Sequence, residues 1–276
     1  MSAQTPVSPT PRRLTLSDLH KLRANGEKVA MFTCYDASFA RLLDGAGVDA
    51  ILVGDSLGMV IQGHDSTLPV TVADIAYHTA AVKRGCNRPF LIADMPFGSY
   101  QESPQQALRH AAALLAAGAQ MVKLEGGAEM AETVHFLTQR GVPVCGHVGL
   151  TPQSVHALGG YKVQGRGEAA AARLLADAEA LANAGATMMV LEAIPAELAA
   201  KVTAQIEVIT IGIGAGVDCS GQVLVLHDVF DIPPGKKAKF VRNFMQGASS
   251  IADAAERAVS AIKDASYPAA EHTYAG

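Results

Sequence analysis

Acidic side chains recur along this chain at one kind of place, directly after a short apolar run. Asp55 follows ILVG, Asp94 follows FLIA, and Asp36 ends the stretch VAMFTCYD. Glu125 follows MVKL and Glu192 follows MMVL in the same way. Carboxylates in such a pattern can bind a cation or transfer a proton, provided that the fold brings them together.

The segments that carry these acids alternate with helical patterns from residue 29 onward. Most are nearly continuous apolar runs, as expected for strands buried on both faces of a parallel sheet. Eight stretches are predicted to be strands, at residues 29–36, 50–56, 89–97, 121–127, 142–150, 187–194, 208–216 and 222–228. The last of them has no helix-length segment before it.

The Ala-rich segments between the strands have the periodicity of amphipathic helices. Ser103 followed by Pro104 fits an N-cap and the first helical position, while Gly118 and Gly185 fit C-terminal stops. Eight strand–helix units predict an α/β fold of the (β/α)8 TIM barrel type. A doubly wound open sheet is the alternative, because periodicity does not reveal whether the sheet closes.

No linker-like composition divides the chain, so residues 14–266 are predicted to form a single (β/α)8 barrel domain. It is expected to begin with an N-terminal helix, which Ser17 could cap, and to end with a C-terminal helical extension, SSIADAAERAVSAIKDA. Residues 1–13, rich in Pro, Ser and Thr, are predicted to be a flexible leader. Residues 267–276 are predicted to be a C-terminal tail.

Composition excludes several classes of protein. The 276 residues carry a formal net charge of −4, no Trp and only 5% aromatic residues, which argues against a nucleic-acid surface. No apolar run reaches the roughly 20 residues that cross a bilayer, so no membrane association is expected. The four cysteines lack metal-ligand spacing and are expected to be buried free thiols. Free thiols favour a reducing compartment and a cytoplasmic location.

In a barrel, the C-terminal ends of all strands meet at one face, where active sites are built. The five acids would therefore ring one mouth, and His147 holds the same position on the fifth predicted strand. Each acid also has an ordinary explanation, since Asp55 or Asp94 could be a turn residue and Glu192 could cap its strand. The argument for a site is their joint recurrence.

Several carboxylates at one mouth repel each other, and burial disfavours their charged forms. A divalent cation offsets both effects, and oxygen donors favour Mg2+ over zinc. Mg2+ needs only one or two carboxylates, so at least one acid is free for proton transfer. Lys123 lies two residues before Glu125 and faces the same side of the strand. It could be an ion-pair partner or an anchor for an anionic substrate.

Several longer stretches resemble one known family. TCYD, VGDSLGMVIQGHDSTLPVT, ADMPFGSY, VKLEGG, GHVGLTPQS, LEAIP and TIGIGAG follow one another across residues 29–230. They are similar to the 3-methyl-2-oxobutanoate (ketopantoate) hydroxymethyltransferases. The resemblance implies a (β/α)8 barrel enzyme of pantothenate biosynthesis. It would transfer a one-carbon unit from 5,10-methylenetetrahydrofolate to 3-methyl-2-oxobutanoate, giving 2-dehydropantoate.

The resemblance also implies one Mg2+ per subunit, a homodecamer and a set of site residues. Asp55, Asp94 and Glu125 look like the metal ligands, and Glu192 looks like the proton acceptor. The substrate contacts implied are Asp55, Ser56, Asp94 and Lys123, with Asp36 and His147 as possible supporting residues. The segment 229–245 is less typical of the family, and the folate contacts are implied by resemblance alone.

The implied chemistry suits these residue types. A 2-oxo acid can chelate a metal ion through its carboxylate and keto oxygens, and Mg2+ would stabilise the enolate formed when C3 loses its proton. Two alternatives stay open. One is an enzyme similar to phosphoenolpyruvate mutase or isocitrate lyase, although a KKCGH-type cysteine loop is not evident. The other is a barrel that binds a metal–oxo-acid complex without turnover.

Overall fold

The computed structural model describes residues 12–235 and 237–276. The predicted leader, residues 1–13, lies outside the described residues except for Arg12 and Arg13. Arg12 pairs with Asp18 at 2.7 Å. The guanidinium of Arg13 donates to the carbonyl oxygens of Cys86 and Pro89, the latter at 2.7 Å.

Eight parallel strands close into a barrel in the order of the sequence. Strand β8 pairs with β1, where Val29 lies beside Gly221, so the sheet has no open edge. The barrel prediction is confirmed and the open sheet is excluded. The strands are β1 Val29–Thr33, β2 Ala50–Val53, β3 Phe90–Asp94, β4 Met121–Glu125, β5 Val144–Gly149, β6 Met188–Glu192, β7 Ile209–Ile213 and β8 Gly221–Leu224. Each ends before its predicted C-terminal limit, because the chain turns into the loops of the mouth.

Helices surround the barrel. They are α1 Leu16–Ala24, α2 Ala37–Gly45, α3 Leu57–Val60, α4 Val72–Gly85, α5 Pro104–Ala117, α6 Ala131–Thr138, α7 Val155–Leu158, α8 Glu168–Asn183, α9 Ala196–Gln205, α10 Leu226–Val229 and α11 Ile251–Lys263. Three short 3-10 helices lie at Ala128–Met130, Pro152–Ser154 and Ala270–His272. The connection 214–220 between β7 and β8 contains no helix, as the sequence predicted. Within residues 12–235 and 237–276, no helix has both the length and the hydrophobicity that crossing a membrane requires.

Helix α1 covers the N-terminal end of the barrel. The predicted cap, Ser17, is wrong, because Thr15 caps the helix in a reciprocal arrangement with Asp18. The Asp18 amide donates to Thr15 Oγ1, and the Thr15 amide donates to the Asp18 carboxylate at 2.9 Å. Leu19 is fully buried and packs with the inward-facing residues of the strands. This end of the barrel is therefore sealed by apolar contacts.

The apolar strands have two buried faces. In β1, Val29 and Met31 pack inside the barrel, whereas Ala30 and Phe32 pack outside against the helices. Successive side chains of a strand alternate between its two faces, so the inward row is every second residue. This row decides which polar side chains enter the mouth.

Asp49 bonds through its carboxylate to β1 and to two basic side chains that lie outside the sheet, Arg88 and Lys263. Its carboxylate is 1% exposed, accepts the Ala30 amide at 3.0 Å, and pairs with Arg88 at 3.0 Å and with Lys263 of α11. The side chains of Arg88 and Lys263 are about a third exposed, which weakens the charge contribution.

We expect Asp49→Asn to lower the free energy of unfolding by about 2 kcal/mol, measured by urea denaturation. The matched change Asp65→Asn, on an exposed loop, should leave stability unchanged. Equal urea midpoints for the two variants would show that the buried contacts of Asp49 do not stabilise the fold.

All four cysteines are free and buried, as predicted. Burial raises the pKa of Cys34, Cys145 and Cys219 to about 12. Burial also raises the pKa of Cys86, against the opposing effect of Arg13.

Because the thiolate is the reactive form, the native protein should react slowly with a thiol reagent at pH 8, and all four thiols should react in denaturant. Fast modification of the native protein would contradict this.

The C-terminal tail packs on the barrel. Tyr274 forms a bridge with Pro195 and accepts the Ala196 amide at 3.0 Å, at the start of α9. The Tyr267 hydroxyl donates to the Phe240 carbonyl at 2.5 Å. Residues of the less typical segment 229–245 are thereby held against the end of the chain.

Candidate active site

The polar side chains of the mouth continue the inward rows of the strands. In β4 the row runs Met121, Lys123, Glu125, and the last two turn an apolar interior into a charged one. Asp94 and Glu192 end the rows of β3 and β6 in the same way. The alternation of the strand, not a special loop, directs these groups into the barrel.

These groups meet in one cavity of about 180 Å³ at the C-terminal face. Its other walls are mostly apolar, with Leu52, Val190, Ile213 and Val223 from the strands, and they also include the polar side chains of Thr33, Thr67 and Asp228. Seven of the predicted site residues line it, namely Asp55, Ser56, Asp94, Lys123, Glu125, His147 and Glu192. A larger groove of about 440 Å³ beside α8, lined by Gly127, Arg173 and Asp177, contains none of them.

Asp36 lies outside this cavity, which corrects the expectation that all five acids ring the mouth. Its carboxylate accepts the amides of Ser38 and Phe39 at 2.7 and 3.0 Å and caps α2. An Asp at this position satisfies amides that a helix start leaves unpaired. The sequence pattern is the same for a cap and for a ligand.

A continuous row of charged groups crosses β3 to β6. Lys123 Nζ lies 2.7 Å from Asp94 Oδ1 and 3.7 Å from Glu125 Oε1. His147 Nδ1 lies 3.4 Å from Glu125 Oε1, and His147 Nε2 lies 3.2 Å from Glu192 Oε2. Asp94 Oδ1 and His147 Nε2 are close to these partners but at angles unsuited to a hydrogen bond. Strand pairing sets the row, since Asp94 lies beside Lys123 and Glu125 beside His147.

His147 is a cation in this row. Burial and the Lys123 charge oppose its protonation, but the charge of Glu125 and the close carboxylate oxygens of Glu125 and Glu192 prevail and raise its pKa to about 9. Lys123 Nζ also lies 3.2 Å from His147 Nδ1. That contact is a hydrogen bond only for an unprotonated Nδ1, and a protonated ring instead forms ion pairs with the two carboxylates. We favour the protonated ring, with Lys123 directed at Asp94.

The pKa values of Lys123, Asp55 and Asp94 also depart from their usual ranges. Burial disfavours the Lys123 ammonium, but Asp94, Glu125 and Asp55 outweigh this and raise its pKa. Burial raises the pKa of Asp55, and the charges of Asp94 and Glu125 add to this. Burial also raises the pKa of Asp94, against the effect of Lys123. If the carboxyl groups of Asp55, Asp94, Glu125 and Glu192 were all ionised, four negative charges would face the two cations Lys123 and His147. The cluster would then have a deficit of positive charge.

The donor set fits a hard cation. Asp55 and Asp94 are adjacent, because the Asp55 amide donates to Asp94 Oδ2 at 2.9 Å. Their oxygens are the kind that Mg2+ prefers, and Mg2+ is usually held by one or two carboxylates and waters. Among the described residues, no group of three His, Cys, Asp or Glu side chains converges closely enough to hold an ion alone. Glu125 is also engaged, since Oε2 accepts the Gln153 amide at 3.0 Å.

Ser56 and Glu192 are positioned by neighbours that the sequence did not single out. Ser56 Oγ lies 2.8 Å from the Tyr35 hydroxyl. The Glu192 carbonyl accepts the Leu150 amide at 2.8 Å. That close approach requires Gly149, at φ +97°, because a Cβ there would lie 2.3 Å from the Glu192 carbonyl oxygen.

Three further residues of the site were missed by sequence reasoning. Thr67 comes from the long loop after α3, and its Oγ1 is buried in the cavity wall without a partner. Tyr100 and Gln153 are buried behind the carboxylates and bond to each other at 2.7 Å. Neither the residue types of Tyr100 and Gln153 nor their spacing in the sequence indicates a role at the site. The only signal in the sequence is that they fall inside the stretches ADMPFGSY and GHVGLTPQS.

Solved structures with a similar fold are distant in sequence. A putative phosphonomutase from Burkholderia cenocepacia J2315 aligns with a TM-score of 0.64 at 18% identity, over 78% of this chain and 94% of that chain. A phosphonopyruvate hydrolase complex with oxalate and Mg++ aligns with a TM-score of 0.58 at 14% identity, over 77% and 81% of the two chains. At this identity the likeness establishes the fold alone.

Relatives in sequence are close and cover the whole chain. The 3-methyl-2-oxobutanoate hydroxymethyltransferase of Dechloromonas aromatica (strain RCB) is 77% identical over 274 residues, 99% of either chain. The protein of the same name from Azoarcus sp. (strain BH72) is 66% identical, over 95% of this chain and 97% of that one. The family model described as ketopantoate hydroxymethyltransferase matches residues 13–270. The chain therefore belongs to the ketopantoate hydroxymethyltransferase family.

Proposed function

We propose that this enzyme transfers a hydroxymethyl group from 5,10-methylenetetrahydrofolate to 3-methyl-2-oxobutanoate. The product is 2-dehydropantoate, and the reaction belongs to pantothenate biosynthesis. Family membership and the names of the close relatives support the reaction. The observation that carries it is one cavity with a paired set of carboxylates, Asp55 and Asp94, and a separate carboxylate, Glu192, across the barrel mouth.

The cavity suits the acceptor in size and in character. At about 180 Å³ it is smaller than the ~300–1,000 Å³ pockets that enclose drug-sized ligands. A five-carbon oxo acid can enter it, with its branched alkyl group against Leu52, Val190 and Val223 and its oxygens at the charged row. The folate donor is too large for this space and must approach from the rim.

Asp55, Ser56, Asp94 and Lys123 are the proposed substrate contacts. Lys123 is buried and remains an ammonium, so it can pair with the substrate carboxylate away from water. Ser56 Oγ, held by Tyr35, can donate to a substrate oxygen. These groups orient the oxo acid with C3 toward Glu192.

Asp55, Asp94 and Glu125 are the proposed Mg2+ ligands, with one ion per subunit. When bound, Mg2+ polarises the keto oxygen and stabilises negative charge that develops there. Burial raises the pKa of Asp55 and Asp94, and the charge of a bound cation would favour their ionised forms.

Glu192 is the proposed proton acceptor for C3. Its side chain is 15% exposed, the most accessible of the carboxylates in the row, and it faces the cavity. His147 Nε2 lies 3.2 Å from the other side of this carboxylate and orients it toward the cavity. C3 then forms the new bond to the methylene carbon, both bonds from that carbon to the folate nitrogens break, and water supplies the hydroxyl group. Tetrahydrofolate leaves, and its two nitrogens take the proton held by Glu192 and the second proton of the water.

Exchange of the C3 proton tests this proposal without the donor. In D2O, 3-methyl-2-oxobutanoate with the enzyme and Mg2+ should lose its C3 proton signal by NMR, and adding the folate should yield product. Removing the metal with EDTA should stop exchange, and restoring Mg2+ should recover it. Absence of exchange under saturating Mg2+ would exclude this mechanism.

The same assay separates the alternatives. A phosphoenolpyruvate mutase or isocitrate lyase type of reaction would cleave a P–C or C–C bond, and none of the four buried cysteines lines the cavity as a candidate acid. A non-catalytic binder would bind the oxo acid without exchange.

A homodecamer in the cytoplasm is the proposed working form, and sedimentation velocity tests the subunit number.

A further inference from the structure

The side chain of Gln153 occupies a junction behind the carboxylates. It is 4% exposed and lies in the 3-10 helix Pro152–Ser154, beyond the end of β5. Its Nε2 donates to Asp55 Oδ2 at 2.8 Å and to the Met95 carbonyl at 3.0 Å. Its backbone amide donates to Glu125 Oε2 at 3.0 Å. One residue therefore bonds to the acid that follows β2 and to the acid that ends β4.

Tyr100 completes this junction. Its hydroxyl lies 2.7 Å from Gln153 Oε1 and accepts the Glu125 amide at 3.0 Å. The single phenolic proton is directed to Gln153 Oε1 rather than to the Glu125 carbonyl, which lies at 3.1 Å. Both hydrogens of the Gln153 amide and its oxygen then have partners, so its orientation is fixed.

The choice of an amide has a consequence for the charge of the site. Lys or Arg at this position would neutralise Asp55, whereas an amide holds the carboxylate without cancelling its charge. The hydrogen bond from Gln153 falls on Oδ2, and among the described residues no donor bonds to Asp55 Oδ1. Asp55 thus keeps Oδ1 available for a ligand in the cavity.

We infer that Gln153 is a positioning residue that holds Asp55 and Glu125 in the geometry in which they bind the divalent cation, with Tyr100 fixing the orientation of its amide. This inference rests on the proposed function, which places the cation at these carboxylates. Gln153 acts through Asp55 and Glu125 and does not contact the substrate. Residues behind metal ligands commonly matter in this way, because they set the orientation of the ligand.

The test measures metal binding directly. Gln153→Met keeps the length of the side chain and the backbone amide bond to Glu125 but removes the bonds to Asp55, Met95 and Tyr100. Free Mn2+, counted by EPR, reports the dissociation constant of the full-length protein with this stand-in for Mg2+. We expect Gln153→Met to raise that constant by about 10- to 100-fold. The control is Gln105→Met, the same change on the exposed face of α5, which should leave it unchanged.

A merely structural role predicts a different result. It would lower the melting temperature of Gln153→Met while leaving the Mn2+ dissociation constant of the folded protein as in the parent, and that outcome would overturn the inference. Tyr100→Phe gives a second test if Gln153→Met fails to fold, and it should weaken Mn2+ binding in the same direction. Unchanged binding by that variant would also count against the inference.

Failure of the proposed function has its own signature. If the parent protein binds no Mn2+ and exchanges no C3 proton, the result contradicts both the proposed function and the positioning role of Gln153. A parent that binds Mn2+ and exchanges the proton, beside a Gln153→Met variant with equal affinity, removes only the positioning role.

Discussion

Glu192→Gln is expected to lower the rate of C3-proton exchange by about 10²- to 10⁴-fold, the usual contribution of a positioned general base. The substitution changes little else. The side chain keeps its length, and the amide oxygen can take the place of the carboxylate oxygen that lies 3.2 Å from His147 Nε2. Loss of exchange would therefore report the loss of a proton acceptor.

Binding measurements distinguish this result from a damaged site. Glu192 is separated from Asp55 and Asp94 by the row through Lys123, Glu125 and His147. Mn2+ and 3-methyl-2-oxobutanoate should consequently bind to Glu192→Gln with affinities near those of the parent. Glu197→Gln, on an exposed position of α9, is the matched control and should exchange normally. A Glu192→Gln enzyme that exchanges at the parental rate would remove Glu192 from the role of base.

Lys123→Met is expected to lower kcat/KM for exchange by at least about 30-fold, because truncating one partner of a buried charge pair costs about 2–5 kcal/mol. The ammonium lies 2.7 Å from Asp94 Oδ1, and among the described residues Lys123 is the one lysine whose side chain lies in the cavity wall. Without it, the carboxylates of the row face the His147 cation alone. An anionic substrate then meets greater repulsion, so the effect should fall chiefly on KM.

The dependence of exchange rate on the concentration of 3-methyl-2-oxobutanoate checks this. Lys201→Met, at an exposed position of α9, provides the same change away from the mouth and should have parental kinetics. A Lys123→Met variant with parental KM would mean that Lys123 is only a partner for Asp94 and does not hold the substrate.

Much of the site followed from strand patterns. An acid at the end of an apolar strand has one place to go in a closed parallel barrel, so the grouping of Asp94, Glu125 and Glu192 was predictable once closure was assumed. Asp55 lies just beyond β2 and reaches the same cavity. Closure itself depends on the pairing of β8 with β1, between residues almost 200 positions apart, which no local pattern encodes.

Other features depended on contacts between distant segments. Asp36 has the same local pattern as Asp55, but the helix that starts directly after it takes its carboxylate as a cap. Gln153 and Tyr100 became visible only when three loops met behind the carboxylates. The protonation of His147 is likewise decided by neighbours from β4 and β6.

The two ends of the barrel are suited to different uses in the laboratory. Tyr274 lies near the chain terminus and beside Gly214, which directly follows β7 at the mouth, together with Phe240 of the cavity wall. Helix α1 covers the opposite end. A label or surface tether fused after Gly276 would crowd this entrance to the cavity, whereas attachment ahead of α1 would leave the entrance unobstructed.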